Sequence, residues 1–292
     1  MSTRRTFLQQ AGLLAFAAYN KPSALFTKQY KLGLQLYSIR EAIAKDVRTT
    51  MQQIASYGYE EVETYGFDKR YWGVEPKTAK QILDDNNLTT SSGHYDLDKF
   101  LLHNATADDM KRYVDACIEG AHVLKQDYIV WPWLDPSLRS IEKFKLVAET
   151  LNTIGEQIKK GGLQLAYHNH DFEFTEQNGQ IGYDIILNET DPSLVKLEID
   201  LYWMTYASKL TPHEWFVKQP GRFVLWHLKD MDKVTRDYEV MGEGSIDFTT
   251  IMPDTGLAGA KHLFIEQGGN FKPDALSCVA RSATYVKNVL YK

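Results

Sequence analysis

Cysteine is scarce in this 292-residue chain, which has only Cys117 and Cys278. Two thiols cannot build a disulfide framework or a thiolate zinc site. Both lie in helical patterns and read as buried free thiols. Basic charge is also short: 33 Lys and Arg stand against 38 Asp and Glu, a net charge of −5. That balance offers no field to neutralise a phosphate backbone, so nucleic acid is not an expected partner. With nine Pro and 19 Gly, a collagen-like or low-complexity chain is excluded. Beyond the N-terminal segment no apolar run reaches the roughly 18 residues of a spanning helix, so no membrane span is expected. No Gly-x-Gly-x-x-Gly follows the first apolar strand, which weighs against an open dinucleotide-binding sheet.

What is present is the composition of a globular protein, 43% hydrophobic, 24% charged and 12% aromatic. A chain of this length can bury a core without staples. The N-terminus carries Arg4-Arg5, then Phe7-Leu8, then a short run of small apolar residues over 11–18. This order resembles a twin-arginine export leader. The expectation is a signal at 1–18, a tether at 19–30 and a periplasmic mature protein. An amphipathic first helix is the alternative.

From Tyr30 onward short apolar runs alternate with longer 3.6-period segments. Strands are expected at 32–37, 60–64, 89–94, 128–131, 163–168, 195–200, 223–229 and 262–266. Helices are expected at 42–57, 76–86, 108–124, 140–160, 212–218 and 273–290, with weaker ones at 181–189 and 248–252. Gly161-Gly162 reads as a left-handed helix end. Eight strand–helix units give a single-domain (β/α)8 TIM barrel over 31–292, whose chemistry belongs at the carboxyl ends of the strands.

Polar groups collect at those ends. The fifth strand runs into Tyr167-His168-Asn169-His170-Asp171-Phe172-Glu173-Phe174, and the sixth ends at Asp200 with Trp203 close behind. The seventh carries His227, Lys229 and Asp230, and the eighth Glu266. Carboxylates and imidazoles from four successive strands suit a divalent ion such as Mn²⁺, Co²⁺, Zn²⁺ or Mg²⁺. Alternation puts His168 and His170 on one face, and His227 and Lys229 on another shared face. Glu198 lies deeper and reads as a partner for a basic group. Earlier strands end in Gln35 and Tyr37, Glu63 and Tyr65, His94, and Trp131 with Trp133. Aromatic faces beside polar groups suit a sugar ring, although Trp131 and Trp133 also read as packing residues.

The strand-five string, Asp200-Leu201-Tyr202-Trp203, His227-Leu228-Lys229-Asp230 and Gly242-Glu243-Gly244-Ser245-Ile246-Asp247-Phe248 resemble the sugar phosphate isomerase/epimerase family of xylose isomerase-like TIM barrels. The resemblance covers about residues 31–292. It implies a metal held by a carboxylate on strand five, Asp on six, His on seven and Glu on eight. Asp200, His227 and Glu266 match the last three. Strand five departs, with His168 where many members have Glu. The first ligand is therefore open between Glu173 and His168.

The resemblance implies proton abstraction next to a carbonyl, with the metal polarising the substrate oxygens. The leading expectation is a metal-dependent isomerase or epimerase acting on an unphosphorylated sugar or keto-sugar. The alternatives are a 3-keto-glycoside lyase or hydratase using the same enolate step, and a non-catalytic sugar-binding barrel. The base is Glu173 if His168 is the ligand, or His168 or His170 if Glu173 is. Lys229 is expected to stabilise an oxyanion or donate a proton. Gln35, Tyr37, Glu63, His94, Trp131, Trp203 and Asp230 are expected to bind substrate.

Overall fold

The computed structural model describes residues 30–102 and 105–292. The export-type leader at 1–18, and the tether at 19–30 except its last residue, lie outside the described residues. Eight parallel strands close into one barrel: β1 Gly33–Gln35, β2 Glu61–Thr64, β3 Thr89–His94, β4 Tyr128–Trp131, β5 Gln164–His168, β6 Val195–Asp200, β7 Phe223–Leu228 and β8 His262–Ile265. Closure pairs Leu34 on β1 with Ile265 on β8. The expected single-domain (β/α)8 barrel is the observed fold.

The outer layer contains α1 Val47–Ser56, α2 Pro76–Asp85, α3 Ala107–Leu124, α4 Ile141–Lys160, α5 Gly182–Glu189, α6 Leu201–Ala207, α7 Pro212–Lys218 and α8 Ala275–Tyr285. Local chemistry sets their ends. Thr106 and Asp109 form a reciprocal capping box at the start of α3. Pro212 takes the first position of α7, where its missing N–H costs nothing. After α4 the left-handed residue is Gly162, at φ +80°, one place beyond Gly161. The single helix expected at 42–57 is broken. Asp46 adopts an extended conformation and its side chain accepts from the Thr49 N–H, so α1 starts anew at Val47. The segment expected to be helical to residue 290 ends as α8 at Tyr285, and a wider π-type turn follows over Val286–Leu290.

The strands have two apolar faces. Outward residues such as Trp131, Tyr167, Ile199 and Trp226 pack beneath the helices. The lumen is filled by Val130, Ala166, Val224, Leu225 and Phe264. This plug closes the barrel from below, so anything polar in the lumen above it must find partners within the protein.

Candidate functional site

Register decides which side chains meet above the plug. His168 on β5 lies opposite Glu198 on β6, and Asp200 on β6 lies opposite His227 on β7. The β6–β7 register shifts between Leu197 and Glu198, where Val224 is the extra residue, an irregularity that re-aims the end of β7.

The deeper tier centres on two carboxylates. Glu63 accepts from Gln35 Nε2 at 2.7 Å and from Ser92 Oγ at 2.6 Å. Its Oε2 also stands 2.6 Å from His227 Nε2 and 3.2 Å from His94 Nε2. Glu198 Oε2 lies 2.8 Å from His94 Nε2, 3.1 Å from His168 Nδ1 and 3.3 Å from His227 Nε2. In the upper tier Lys229 Nζ donates to Glu266 Oε2 at 2.8 Å and lies 3.3 Å from Asp200 Oδ2. His227 Nδ1 is 3.1 Å from the same Glu266 oxygen. Glu63, Glu198, Asp200 and His227 are all fully buried.

Asp200 divides its carboxylate. Oδ1 accepts from the Trp203 N–H at 3.0 Å and so caps α6. Oδ2 faces the cluster and is ion-paired with Lys229 Nζ at 3.3 Å, without a well-directed hydrogen bond. The Asp200 backbone N–H donates to Asn169 Oδ1 at 3.1 Å, which fixes the end of β6 against the β5 loop. Helix α6 had no counterpart in the sequence expectation. Its cap and the cluster residue are one side chain.

Burial pushes carboxyls toward the neutral acid. It prevails at Asp200, which is raised, and at Glu198, pushed up to about 7 by burial and the Glu63 charge. At Glu63 burial is outweighed by His94 and His227, which hold it well below the usual carboxylate range. Lys229 and His227 do the same for Glu266. The imidazoles split. Burial opposes charging His94, yet Glu63 and Glu198 raise it to about 10. His227 rises well above its ordinary value between Glu198 and Glu266, again against burial. Burial and neighbouring cationic groups drive His168 and His170 well below theirs, so both are neutral.

Ligand-capable atoms form two groupings that share His227: His94, His168, Glu198 and His227, and Asp200, His227 and Glu266, with the atoms of each within 4.8 Å of one another. Glu198 Oε1 is buried without a hydrogen-bond partner, while Asp200 Oδ2 and His168 Nδ1 have polar neighbours, Lys229 Nζ at 3.3 Å and Glu198 Oε2 at 3.1 Å, but no well-directed hydrogen bond. Mixed imidazole and carboxylate donors suit a borderline divalent ion, and Glu63 behind His227 is the kind of carboxylate that orients a ligating imidazole. The residues present fit a metal.

A cavity of about 700 Å³ opens above the cluster, lined by His94, His168, His170, Lys229, Glu266 and Trp203 among others. Tyr37 also reaches this lining. Several expected site residues do not. Glu173, expected as a possible metal ligand or base, stands behind β5, outside both groupings. Its carboxylate accepts from Tyr167 Oη and from the His170 N–H, each at 2.8 Å. The turn at Phe172–Phe174 swings it onto the outward face that alternation assigns to Tyr167. Trp131 likewise points outward, fully buried, and its indole donates to the Trp133 carbonyl at 2.7 Å. Of the two, Trp133, beyond the strand, is the one that lines the cavity. Gln35 and Glu63 are fully buried beneath the cavity and support the cluster rather than touching its contents.

Asp230, also expected to bind substrate, is a loop anchor. Its carboxylate accepts backbone N–H bonds from Met231, Gly242, Gly244 and Ile246. A Cβ at Gly244 would collide with that carboxylate, which accounts for glycine in the Gly242-Glu243-Gly244 string. Tyr65, expected at the end of the second strand, joins the lining, and so does Tyr238, which the sequence reading does not single out. Tyr238 follows β7 beyond the strand's end, where the barrel's strand alternation assigns no direction.

A family model described as xylose isomerase-like TIM barrel matches residues 51–254. An inosose dehydratase from Clostridium perfringens is 32% identical over 127 residues, 38% of this chain and 42% of the relative. The match therefore spans less than half the length of that relative. The structure of a sugar phosphate isomerase/epimerase from Parabacteroides distasonis superposes with a TM-score of 0.78 at 27% identity, covering 92% of this chain and 97% of that one. A xylose isomerase-like TIM barrel protein from Mycobacterium smegmatis, in complex with magnesium, superposes with a TM-score of 0.65 at 15% identity, over 90% of this chain and 97% of that one. At that identity the likeness shows the fold alone.

Proposed function

Since the chain belongs to the xylose isomerase-like TIM barrel family, we propose that it is a metal-dependent sugar isomerase or epimerase that abstracts a proton next to a carbonyl. The observation that carries this reading is the buried cluster at the cavity floor, where ligand-capable atoms of Asp200, His227 and Glu266 lie within 4.8 Å of one another. Asp200, His227 and Glu266 would hold the ion, with His168 in the strand-five position. Bound there, a divalent ion supplies Lewis-acid polarisation of the substrate oxygens.

The chain's own groups do the rest. His170 lines the cavity with its ring stacked on Phe172 at 5.5 Å and edge-on to Trp133 at 4.8 Å. It is the imidazole placed to take the proton at a ring nitrogen. Lys229 lies 4.9 Å from the Tyr238 ring centroid and presents an ammonium to oxygen that gains charge. Trp203 and Tyr238 wall the site and exclude water. An unphosphorylated substrate is favoured because the lining sets Asp96, Asp171 and Glu266 against Lys229 and His94, both of which already have carboxylate partners, a poor host for a phosphate dianion. The twin-arginine-like leader supports the same choice, with the protein acting in the periplasm.

A second reading, elimination of water or an aglycone from a keto-sugar, is favoured by the similarity to an inosose dehydratase. Both reactions begin with the same deprotonation. NMR of Mn²⁺-loaded protein with a ketose and with a 3-keto-glucoside in D₂O separates them. Deuterium at the α-carbon without fragmentation is the result expected for the isomerase or epimerase. Loss of the group on the next carbon assigns the lyase. No exchange with either substrate at full metal occupancy overturns the enolate reading.

A further inference from the structure

Lys229 is buried, and two kinds of partner stand within reach of its ammonium. The first is a pair of carboxylates. Nζ donates to Glu266 Oε2 at 2.8 Å and is ion-paired with Asp200 Oδ2 at 3.3 Å. The second is a set of rings. Nζ lies 4.9 Å from the Tyr238 centroid, 5.5 Å from Trp203 and 5.8 Å from Tyr202. The rings pack on one another, with Tyr202 4.8 Å from Trp203 and 5.0 Å from Tyr238. Their loops are tied down as well. Tyr202 Oη donates to the Arg236 carbonyl at 2.8 Å, and Asn270 Nδ2 donates to the Tyr238 carbonyl at 2.9 Å.

Asp200 and Glu266 are also two of the three residues assigned to the divalent ion. Asp200 has one oxygen to give, because Oδ1 accepts from the Trp203 N–H. The other, Oδ2, is the one that faces Lys229. An ammonium has three donors and no lone pair, so it cannot join a coordination sphere. As a like charge it opposes an ion placed beside it, and burial leaves little water to screen the two. The ammonium and the ion therefore compete for the same carboxylates.

Displacement does not require Lys229 to leave for water. Its flexible stem carries a compact charge that needs no fixed plane of partners. A ring face attracts a cation within about 6 Å of its centroid. A charged hydrogen bond outweighs a ring face, so the ammonium rests on Asp200 and Glu266 until a stronger cation takes them. Trp203 and Tyr238 line the cavity, so an ammonium drawn onto their faces still borders it.

We propose that Lys229 is a built-in competitor of the divalent ion. Its ammonium holds the Asp200–Glu266 pair until an ion displaces it onto the rings of Tyr202, Trp203 and Tyr238. Ion binding and release of the ammonium toward the cavity are then one event. This rests on the reading that Asp200, His227 and Glu266 hold the ion.

Mn²⁺ titration of the full chain, followed by the electron paramagnetic resonance signal of the free ion, tests this. Lys229→Met removes the charge and keeps much of the stem. It should bind Mn²⁺ at least about tenfold more tightly than the wild type. Lys229→Arg keeps the charge and should show no gain. Tyr238→Leu removes the nearest ring. It should weaken Mn²⁺ binding roughly two- to fivefold in the wild-type background and change nothing beside Lys229→Met. Should Lys229→Met not fold, Lys229→Gln makes the same comparison. Equal or weaker affinity in the neutral variant, or a gain in Lys229→Arg, overturns the competition. No effect of Tyr238→Leu, or one that persists without the ammonium, overturns the move onto the rings. Mn²⁺ held equally by the wild type and Lys229→Met refutes this proposal and leaves the ion site standing, whereas no Mn²⁺ bound by either removes both.

Discussion

Two carboxylates show how position sets the work of a side chain. Asp200 caps α6 with one oxygen and faces the cluster with the other. An Asp200→Asn variant keeps an acceptor for the Trp203 N–H but removes the charge. It should fold and lose divalent-ion affinity by more than the roughly 10–100-fold that loss of an outer partner costs. Asp200→Ala should lose both the ion and the cap. Equilibrium dialysis with metal analysis, beside helical circular dichroism, reads the two effects separately, and stoichiometric metal in Asp200→Ala would refute the ligand assignment. Glu173 is a different case. Burial lifts its acid to about 8, while its ordinary value is 4.5. The folded protein therefore holds a proton that the unfolded chain releases near pH 4.5, and stability falls as pH rises from about 4.5 to about 8. Urea denaturation at pH 5, 6.5 and 8 should show a slope of up to about 1.4 kcal/mol per pH unit from this one group. Glu173→Gln should flatten that slope, and an unchanged slope in the variant would remove Glu173 as its source.

At the scale of the element, the period of a strand is the strongest guide and its end is where guidance stops. Trp131 ends β4 and packs outward under the helices. Truncating Trp131→Ala should cost about 3–5 kcal/mol of stability, measured by chemical denaturation. Because the Trp131 indole also donates to the Trp133 carbonyl, the truncation frees one support of the cavity wall as well. The alternation that placed His168 and His170 together also sends Tyr167 to the opposite side, so this much was readable in the sequence; Trp131 was expected at the site, and its register opposite Tyr167 is what places it outward. His227, Asp200 and Glu266 were readable for the same reason. Glu173 was not, because a three-residue turn after β5 reverses its direction. Asp230 was not, because its partners arrive from Gly242, Gly244 and Ile246, a loop folded back onto the strand end. Depth is the other hidden quantity. Gln35 and Glu63 stand at strand ends as expected, yet both are fully buried, with Glu63 in contact with His94 and His227 and accepting from Gln35. The broken helix at Asp46 follows the same pattern: apolar spacing runs through 42–57, and a single side-chain cap outweighs it.

Over the whole molecule, ligand binding and stability share the buried cluster. A divalent ion that binds the folded chain alone stabilises it by about 2.7 kcal/mol at a hundredfold excess over Kd. For a barrel of this size that corresponds to a rise of roughly 5–10 °C in Tm. Calorimetry with and without a chelator measures it, and superimposable thermograms would argue that no ion is held. Glu63 on β2 reaches His227 on β7, and His94 on β3 reaches Glu198 on β6. These contacts run across the lumen like spokes, joining strands that share no backbone ladder. The upper barrel is therefore tied along its diameters as well as around its circumference. Its two halves cannot move apart without breaking ion pairs in a place where water offers no replacement. The chemistry at the mouth and the roundness of the barrel beneath it depend on the same few bonds, so a change in one is felt in the other.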